Sequence, residues 1–159
     1  KVVGRMIKDE KIKLAKKFGC NEVINYNKEN FKDKVLELTN NVGLPVVYDG
    51  VGKNTLEDSL GCLKMRGTMV SFGNASGKLD PVDVGKLIAP KGLYLTRPSI
   101  AHYTSTREEL DEASNKLFEM VKSGAVKVEI FKKYPLKDAS LAHQDLEGRK
   151  ILGPAIITP

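Results

Sequence analysis

An α/β fold, a parallel sheet with flanking helices, is what the sequence predicts, and three observations predict it. Two short apolar runs, Val46–Tyr48 and Thr68–Phe72, lead into turns that carry glycine: Asp49-Gly50-Val51-Gly52 and Gly73-Asn74-Ala75-Ser76-Gly77. The first run is apolar throughout and the second has the same layout with Thr68 and Ser71 among its apolar residues, so both are expected as buried parallel strands. Stretches with helical spacing separate the β-rich runs, and such alternation implies βαβ crossovers. Ligands of open α/β sheets bind outside the carboxyl ends of the strands, so the two glycine turns are the first candidates for a site.

The elements follow in order. Lys1–Met6 is expected as a strand, followed by a helix to about Phe18 with Ile12, Ala15 and Phe18 on one side. Gly19 suits the C-terminal cap of that helix. Glu22–Asn25 is a short strand, and Phe31, Val35 and Leu38 mark an amphipathic helix. Asn40–Pro45 turns the chain into the strand at Val46. Leu56, Leu60 and Leu63 repeat the helical spacing ahead of Arg66-Gly67 and the strand Thr68–Phe72. Gly73–Ala89 reads as loop with at most a short helix, and Leu93–Arg97 is a β-rich run stopped by Pro98. Thr106 and Glu109 form a capping-box pattern that opens a helix carrying Leu110, Ala113, Leu117 and Val121 inward and ending at Gly124. Val126–Ile130 alternates and is expected as a half-exposed strand. Leu136–Leu146 is a short helix with Asp138 as N-cap, and Ala155–Ile157 is a last strand. Residues after about 100 depart from the repeating unit, so two domains are expected, 1–100 and 101–159.

Composition narrows the function. With 41% hydrophobic residues the 159-residue chain has enough for a core. No apolar run approaches the roughly 18 residues of a membrane span, and no basic-then-apolar leader opens the sequence, so the reading is cytoplasmic with no membrane partner. Cys20 and Cys62 stand alone and read as buried reduced thiols. His102 and His143 have no second histidine or cysteine pair nearby, so no metal site is expected. The net charge of +6 admits a nucleic acid or a phosphorylated ligand. The lysines are nonetheless scattered over predicted helix faces, as in Lys11 to Lys17, which a solvated surface explains.

A dinucleotide-binding sheet carries an acid after its second strand to hold the adenosine ribose. Here the strand Val2–Met6 runs instead into Ile7-Lys8-Asp9-Glu10-Lys11. Basic residues at that place suit a 2′-phosphate, hence NADP, and equally suit an ordinary charged surface. Val23–Tyr26, Val46–Gly52, Gly67–Gly77, Leu95–Ser99 and Thr106–Leu110, in this order and spacing, resemble the carboxyl-terminal half of NADPH:quinone oxidoreductases of the zeta-crystallin type. These are zinc-free members of the medium-chain dehydrogenase/reductase superfamily, and the likeness covers essentially the whole chain.

The resemblance implies a Rossmann-like fold, hydride transfer from NADPH to a quinone or another α,β-unsaturated carbonyl without metal, and a homodimer paired through the Leu93–Arg97 edge strand. It implies that Lys11 and Tyr26 flank the adenosine 2′-phosphate, that Gly50 lies on the adenosine side, and that Phe72, Gly73, Asn74 and Ser76 lie by the nicotinamide half. Arg149 matches an arginine that reaches the cofactor. No catalytic residue is implied, and the 159 residues alone are expected to be inactive. Ile7 departs from the small residue usual beside the 2′-phosphate, where Arg5 and Lys8 would compensate. The amino-terminal catalytic domain and the first βα unit have no counterpart. A gap, a non-native pairing or a borrowed strand is therefore expected beside Val46–Asp49. Two other readings stay open: a basic nucleic-acid-binding module and a non-catalytic dimerising fragment.

Overall fold

The computed structural model describes residues 2–6, 9–148 and 150–159. Lys1, Ile7, Lys8 and Arg149 lie outside the described residues. The chain forms two compact units, divided after His102.

In the first unit all strands pair in parallel. β1 (Val3–Met6) pairs with β2 (Glu22–Asn25), and α1 (Asp9–Lys17) connects them. Gly19, with φ +91°, ends α1: its N–H donates to Lys16 and the Cys20 N–H to Ala15. Phe18 is not on the packed side, being 51% exposed beside Lys17. α2 (Phe31–Leu38) is capped by Asn30, whose side chain accepts from the N–H groups of Lys32 and Asp33.

β3 (Leu44–Asp49) pairs with β4 (Leu63–Ser71), and β4 with β5 (Tyr94–Thr96). α3 (Leu56–Gly61) is shorter than the leucine spacing predicts. It ends at Gly61, and Leu63 is already the first residue of β4. Leu44 pairs with Leu63 and Val46 with Thr68, so the extra length in β4 is taken up by an irregularity where Arg66 has φ +56°. The Nζ of Lys91 donates to the carbonyls of Gly61 and Leu63, satisfying groups at the α3–β4 junction. A π-helical turn (Val84–Ile88) and a 3-10 turn (Ala89–Lys91) lie between β4 and β5.

No ladder joins β1 to β3 among the described residues. The interruption expected beside Val46–Asp49 is present, and the core bridges it. Ile24, Val35 and Cys62 pack with Val3, Phe31, Leu44 and Val47. Leu56, Leu60, Leu63, Met69 and Leu93 form a second cluster, which Val47 also touches. Cys20 and Cys62 are both free thiols, and burial pushes Cys62 up to about 11.

The second unit holds α4 (Arg107–Lys122), β6 (Lys132–Pro135), α5 (Ala139–Glu147) and β7 (Ala155–Thr158). The capping box at Thr106 and Glu109 forms in full. The inward face expected for α4 does not form: no residue of the helix is buried, and Leu110, Leu117 and Val121 are each close to half exposed. Val126–Ile130 alternates but is not a strand, and the parallel ladder with β7 begins at Lys132. Asp138 stands at the N-cap of α5 without a side-chain capping bond.

A buried carboxylate ties this unit together. Asp145 Oδ2 accepts from the Lys132 Nζ at 2.9 Å and from the Tyr134 hydroxyl at 2.8 Å, and Lys150 pairs with Oδ1 at 3.3 Å. The hydrogen bond from Lys132, then that from Tyr134, hold Asp145 down to about 2. A depressed carboxyl contributes stability that is complete above its unfolded value and is lost as pH falls through its folded value. Hydrogen exchange of the β6–β7 amides is therefore expected to accelerate as pH falls from about 4 towards 2, after correction for intrinsic exchange. An Asp145→Asn chain should be exchange-labile already at neutral pH and lack that acid transition.

Candidate functional site

The two glycine turns that the sequence singles out lie at the carboxyl ends of β3 and β4, in neighbouring positions of one sheet. Asp49 organises the first. Its side chain is 2% exposed. Oδ1 accepts from the N–H groups of Val51 at 2.7 Å and Gly52 at 3.0 Å. Oδ2 accepts from the Thr55 hydroxyl at 2.7 Å and the Ser59 hydroxyl at 2.6 Å. The carboxylate thereby closes the turn on one side and fastens it to α3 (Leu56–Gly61) on the other. Burial acts to raise the Asp49 carboxyl and is the largest single influence, but the four donors together outweigh it and hold the group below its ordinary value.

The second turn is laid against the first. The Phe72 N–H donates to Asp49 O at 2.9 Å, Ala75 N–H to Gly50 O at 3.2 Å, and Ser76 N–H to Val51 O at 2.8 Å. The Ser76 hydroxyl also donates to Val51 O at 2.8 Å and accepts from the Asn54 N–H at 3.0 Å. Gly73 fits because it lacks a side chain: a Cβ there would run into the carbonyl oxygen of Gly50 and stand 2.8 Å from its Cα. A Cβ on Gly50 would meet the Phe72 ring at 3.0 Å. Gly50, Phe72, Gly73, Asn74 and Ser76 thus form one cluster, with Phe72 and Asn74 exposed and Gly73 and Ser76 half-buried.

β5 adds to this edge. The Arg97 Nη1 donates to Ser71 O at 2.7 Å, tying the carboxyl ends of β4 and β5. The Ser71 hydroxyl is buried, and among the described residues it has no hydrogen-bond partner.

Lys11 and Tyr26 belong to the β1–β2 pair. Lys11 is half-buried on α1, and Tyr26, 39% exposed, follows β2 with its N–H donating to Met6 O at 3.3 Å. The Arg5 guanidinium lies over the Tyr26 ring at 5.2 Å and the Phe31 ring at 4.5 Å from the centroids. Arg149 is outside the described residues, as are the departure at Ile7 and the cation of Lys8. No group of three or more His, Cys, Asp or Glu able to hold a metal ion occurs among the described residues.

Sequence reasoning passed over Asp49, Thr55, Ser59 and Arg97. An acid directly before a glycine turn was signal enough for Asp49, since Asp side chains accept from N–H groups two residues on. An Asp49→Ala chain leaves two N–H groups and two hydroxyls without their acceptor and is expected to lose about 3 kcal/mol of stability. Thr55→Val should lose about 1 kcal/mol. Urea denaturation measures both, and an Asp49→Ala loss no larger than that of Thr55→Val would show the carboxylate to be peripheral.

With this geometry in hand, comparison with known proteins is direct. Residues 1–119 match the family described as zinc-binding dehydrogenase. The chain is 46% identical to quinone oxidoreductase 1 of Escherichia coli strain K12, covering 100% of this chain and 49% of that protein. It is 41% identical to a 2-haloacrylate reductase of Burkholderia sp., covering 99% of this chain and 48% of the relative. The crystal structure of an Escherichia coli quinone oxidoreductase complexed with NADPH superposes with a TM-score of 0.94 at 46% identity, covering 100% of this chain and 49% of that one. The chain spans about half the length of the curated relatives it matches. On these grounds the chain belongs to the zinc-binding dehydrogenase family.

Proposed function

We propose that the chain is the cofactor-binding part of an oxidoreductase that transfers a hydride from NADPH to a quinone or another α,β-unsaturated carbonyl without metal. The observation that carries this reading is the pair of carboxyl-end turns after β3 and β4, closed on each other at Gly50 and Gly73 and anchored by Asp49. Such turns stand where open α/β sheets take their ligands. The residues fit a dinucleotide: two turns held close together by Gly50 and Gly73, an exposed aromatic ring and amide at Phe72 and Asn74, and cationic and aromatic groups at the β1–β2 end. Two relatives support it by name, a quinone oxidoreductase complexed with NADPH and a 2-haloacrylate reductase.

In this reading the cofactor, when bound, supplies the hydride, and the protein positions donor and acceptor. Gly50 lies on the adenosine side, Phe72, Gly73, Asn74 and Ser76 line the nicotinamide side, Lys11 and Tyr26 flank the 2′-phosphate, and Arg149 reaches the same ligand. Residues 1–100 form the cofactor portion and 101–159 the segment that returns towards a catalytic domain. The protein is cytoplasmic. No helix among the described residues is long and apolar enough to cross a membrane. The exposed edge strand Tyr94–Thr96, all three residues of it solvent-facing, pairs two copies into a homodimer.

NADPH and NADH titrations, on this chain and on the chain joined to the amino-terminal half of a relative, test the cofactor. NADPH is expected to bind more tightly, and Lys11→Gln to weaken NADPH by about tenfold while sparing NADH. No preference for NADPH would overturn the assignment of Lys11 and Tyr26. For the dimer, solution mass should fall to that of a monomer in a Tyr94→Pro chain, and a variant that stays dimeric would reject pairing through this strand.

A further inference from the structure

We propose that Arg97 is a positioning residue for the nicotinamide half of the cofactor, orienting the turn Phe72-Gly73-Asn74 through the Ser71 carbonyl; the assignment rests on the NADPH reading above. Ser71 is the last residue of β4, so the peptide between Ser71 and Phe72 is where the strand passes into the turn. That peptide is trans and planar, so its oxygen and its hydrogen point in opposite directions. Its N–H donates to Asp49 O on β3 at 2.9 Å, which turns its oxygen towards β5. The register that pairs Met69 with Leu95 and Val70 with Thr96 sets residue 71 opposite residue 97. In a parallel ladder of that register the oxygen would accept from the N–H of residue 98. Residue 98 is proline and has no N–H.

Arg97 supplies the donor that Pro98 lacks. Its Nη1 donates to Ser71 O at 2.7 Å, and the proline that follows restricts the Arg97 backbone to extended conformations. A guanidinium bond to a carbonyl is charge-assisted and stronger than the backbone N–H bond it replaces. The Ser71 side chain adds no hold of its own, since its hydroxyl is buried without a hydrogen-bond partner among the described residues. The peptide is thus clamped from both neighbouring strands, by Asp49 O and by the Arg97 guanidinium. Its plane fixes where Phe72 leaves the strand, and with it the exposed ring and the Asn74 amide that follows. Arg97 lies beyond β4 from the turn after β3, so replacing it leaves the bonds between the two turns in place.

Titration with NADPH and with adenosine 2′,5′-bisphosphate, which lacks the nicotinamide half, separates this role from a general one. Arg97→Met should weaken NADPH about tenfold and leave the bisphosphate unchanged. Adding Pro98→Ala restores a backbone N–H facing the Ser71 carbonyl, and this double variant should recover most of the NADPH affinity. Arg97→Met with its NADPH affinity intact, or with both ligands weakened alike, would overturn the role of Arg97 and leave the NADPH reading standing. A selective loss that Pro98→Ala does not recover would reject the carbonyl as the route. If Arg97→Met does not fold, the double variant decides: folding with NADPH binding supports the donor replacement, and failure of either rejects it. An unsubstituted chain that binds neither ligand, alone or joined to the amino-terminal half of a relative, would sink the NADPH reading and this assignment with it.

Discussion

A carboxylate shut away from water needs several donors, and whatever supplies them is locked in place with it. Asp49 has four, two from the backbone of its own turn and two from hydroxyls at the start and middle of α3. Because both oxygens are occupied, the turn cannot move without breaking its tie to the helix, and the helix cannot shift without freeing the turn. The second turn is then laid on the first by three backbone bonds and by Ser76. The position of Phe72 and Asn74 is therefore decided at Asp49, on the neighbouring strand.

This anchoring matters because the sheet is interrupted. β3 has a ladder with β4 and none with β1 among the described residues, so hydrogen bonding alone does not relate the two halves of the unit. Apolar packing relates them instead, through Val47, which touches both core clusters, and through α2, whose Val35 is buried with Ile24 and Cys62. Packing is less directional than a ladder. The geometry at the carboxyl ends of β3, β4 and β5 depends correspondingly more on specific polar ties: Asp49 to α3, and Arg97 to the Ser71 carbonyl.

Much of this architecture was legible in the residues, for reasons that can be named. Glycine at the end of an apolar run, a capping box at Thr106 and the helical spacing of Phe31 and Val35 are local signals, and each of these features forms where its signal stands. The failures share a cause too. Leu63 keeps helical spacing with Leu56 and Leu60 but begins β4, because a pairing with Leu44 that no local pattern encodes claims it. Val126–Ile130 alternates as a strand should, yet strand identity needs a partner, and β7 pairs with Lys132–Pro135 instead. The site shows the same division. Its glycines were readable from the turn chemistry, whereas Thr55 and Ser59 lie six and ten residues from Asp49 and acquire a role only once α3 packs back over the turn.

The two ends of the candidate site are built from different materials, and this bears on which changes the fold tolerates at each end. The end at β3 and β4 is mainly backbone: glycines in contact, peptide bonds pairing two turns, and a carboxylate turned inward to hold them. A change there disturbs the fold before it alters recognition, because a Cβ on Gly73 meets backbone that cannot swing aside. The end at β1 and β2 is made of side chains, with Arg5 over two rings and Lys11 on the neighbouring helix. Replacing those groups leaves the ladder between β1 and β2 untouched. Under the proposed function, binding a dinucleotide and choosing between phosphorylated and unphosphorylated forms are thus separable properties. The first is tied to the stability of the fold, and the second is free to vary with two or three exposed or half-buried side chains.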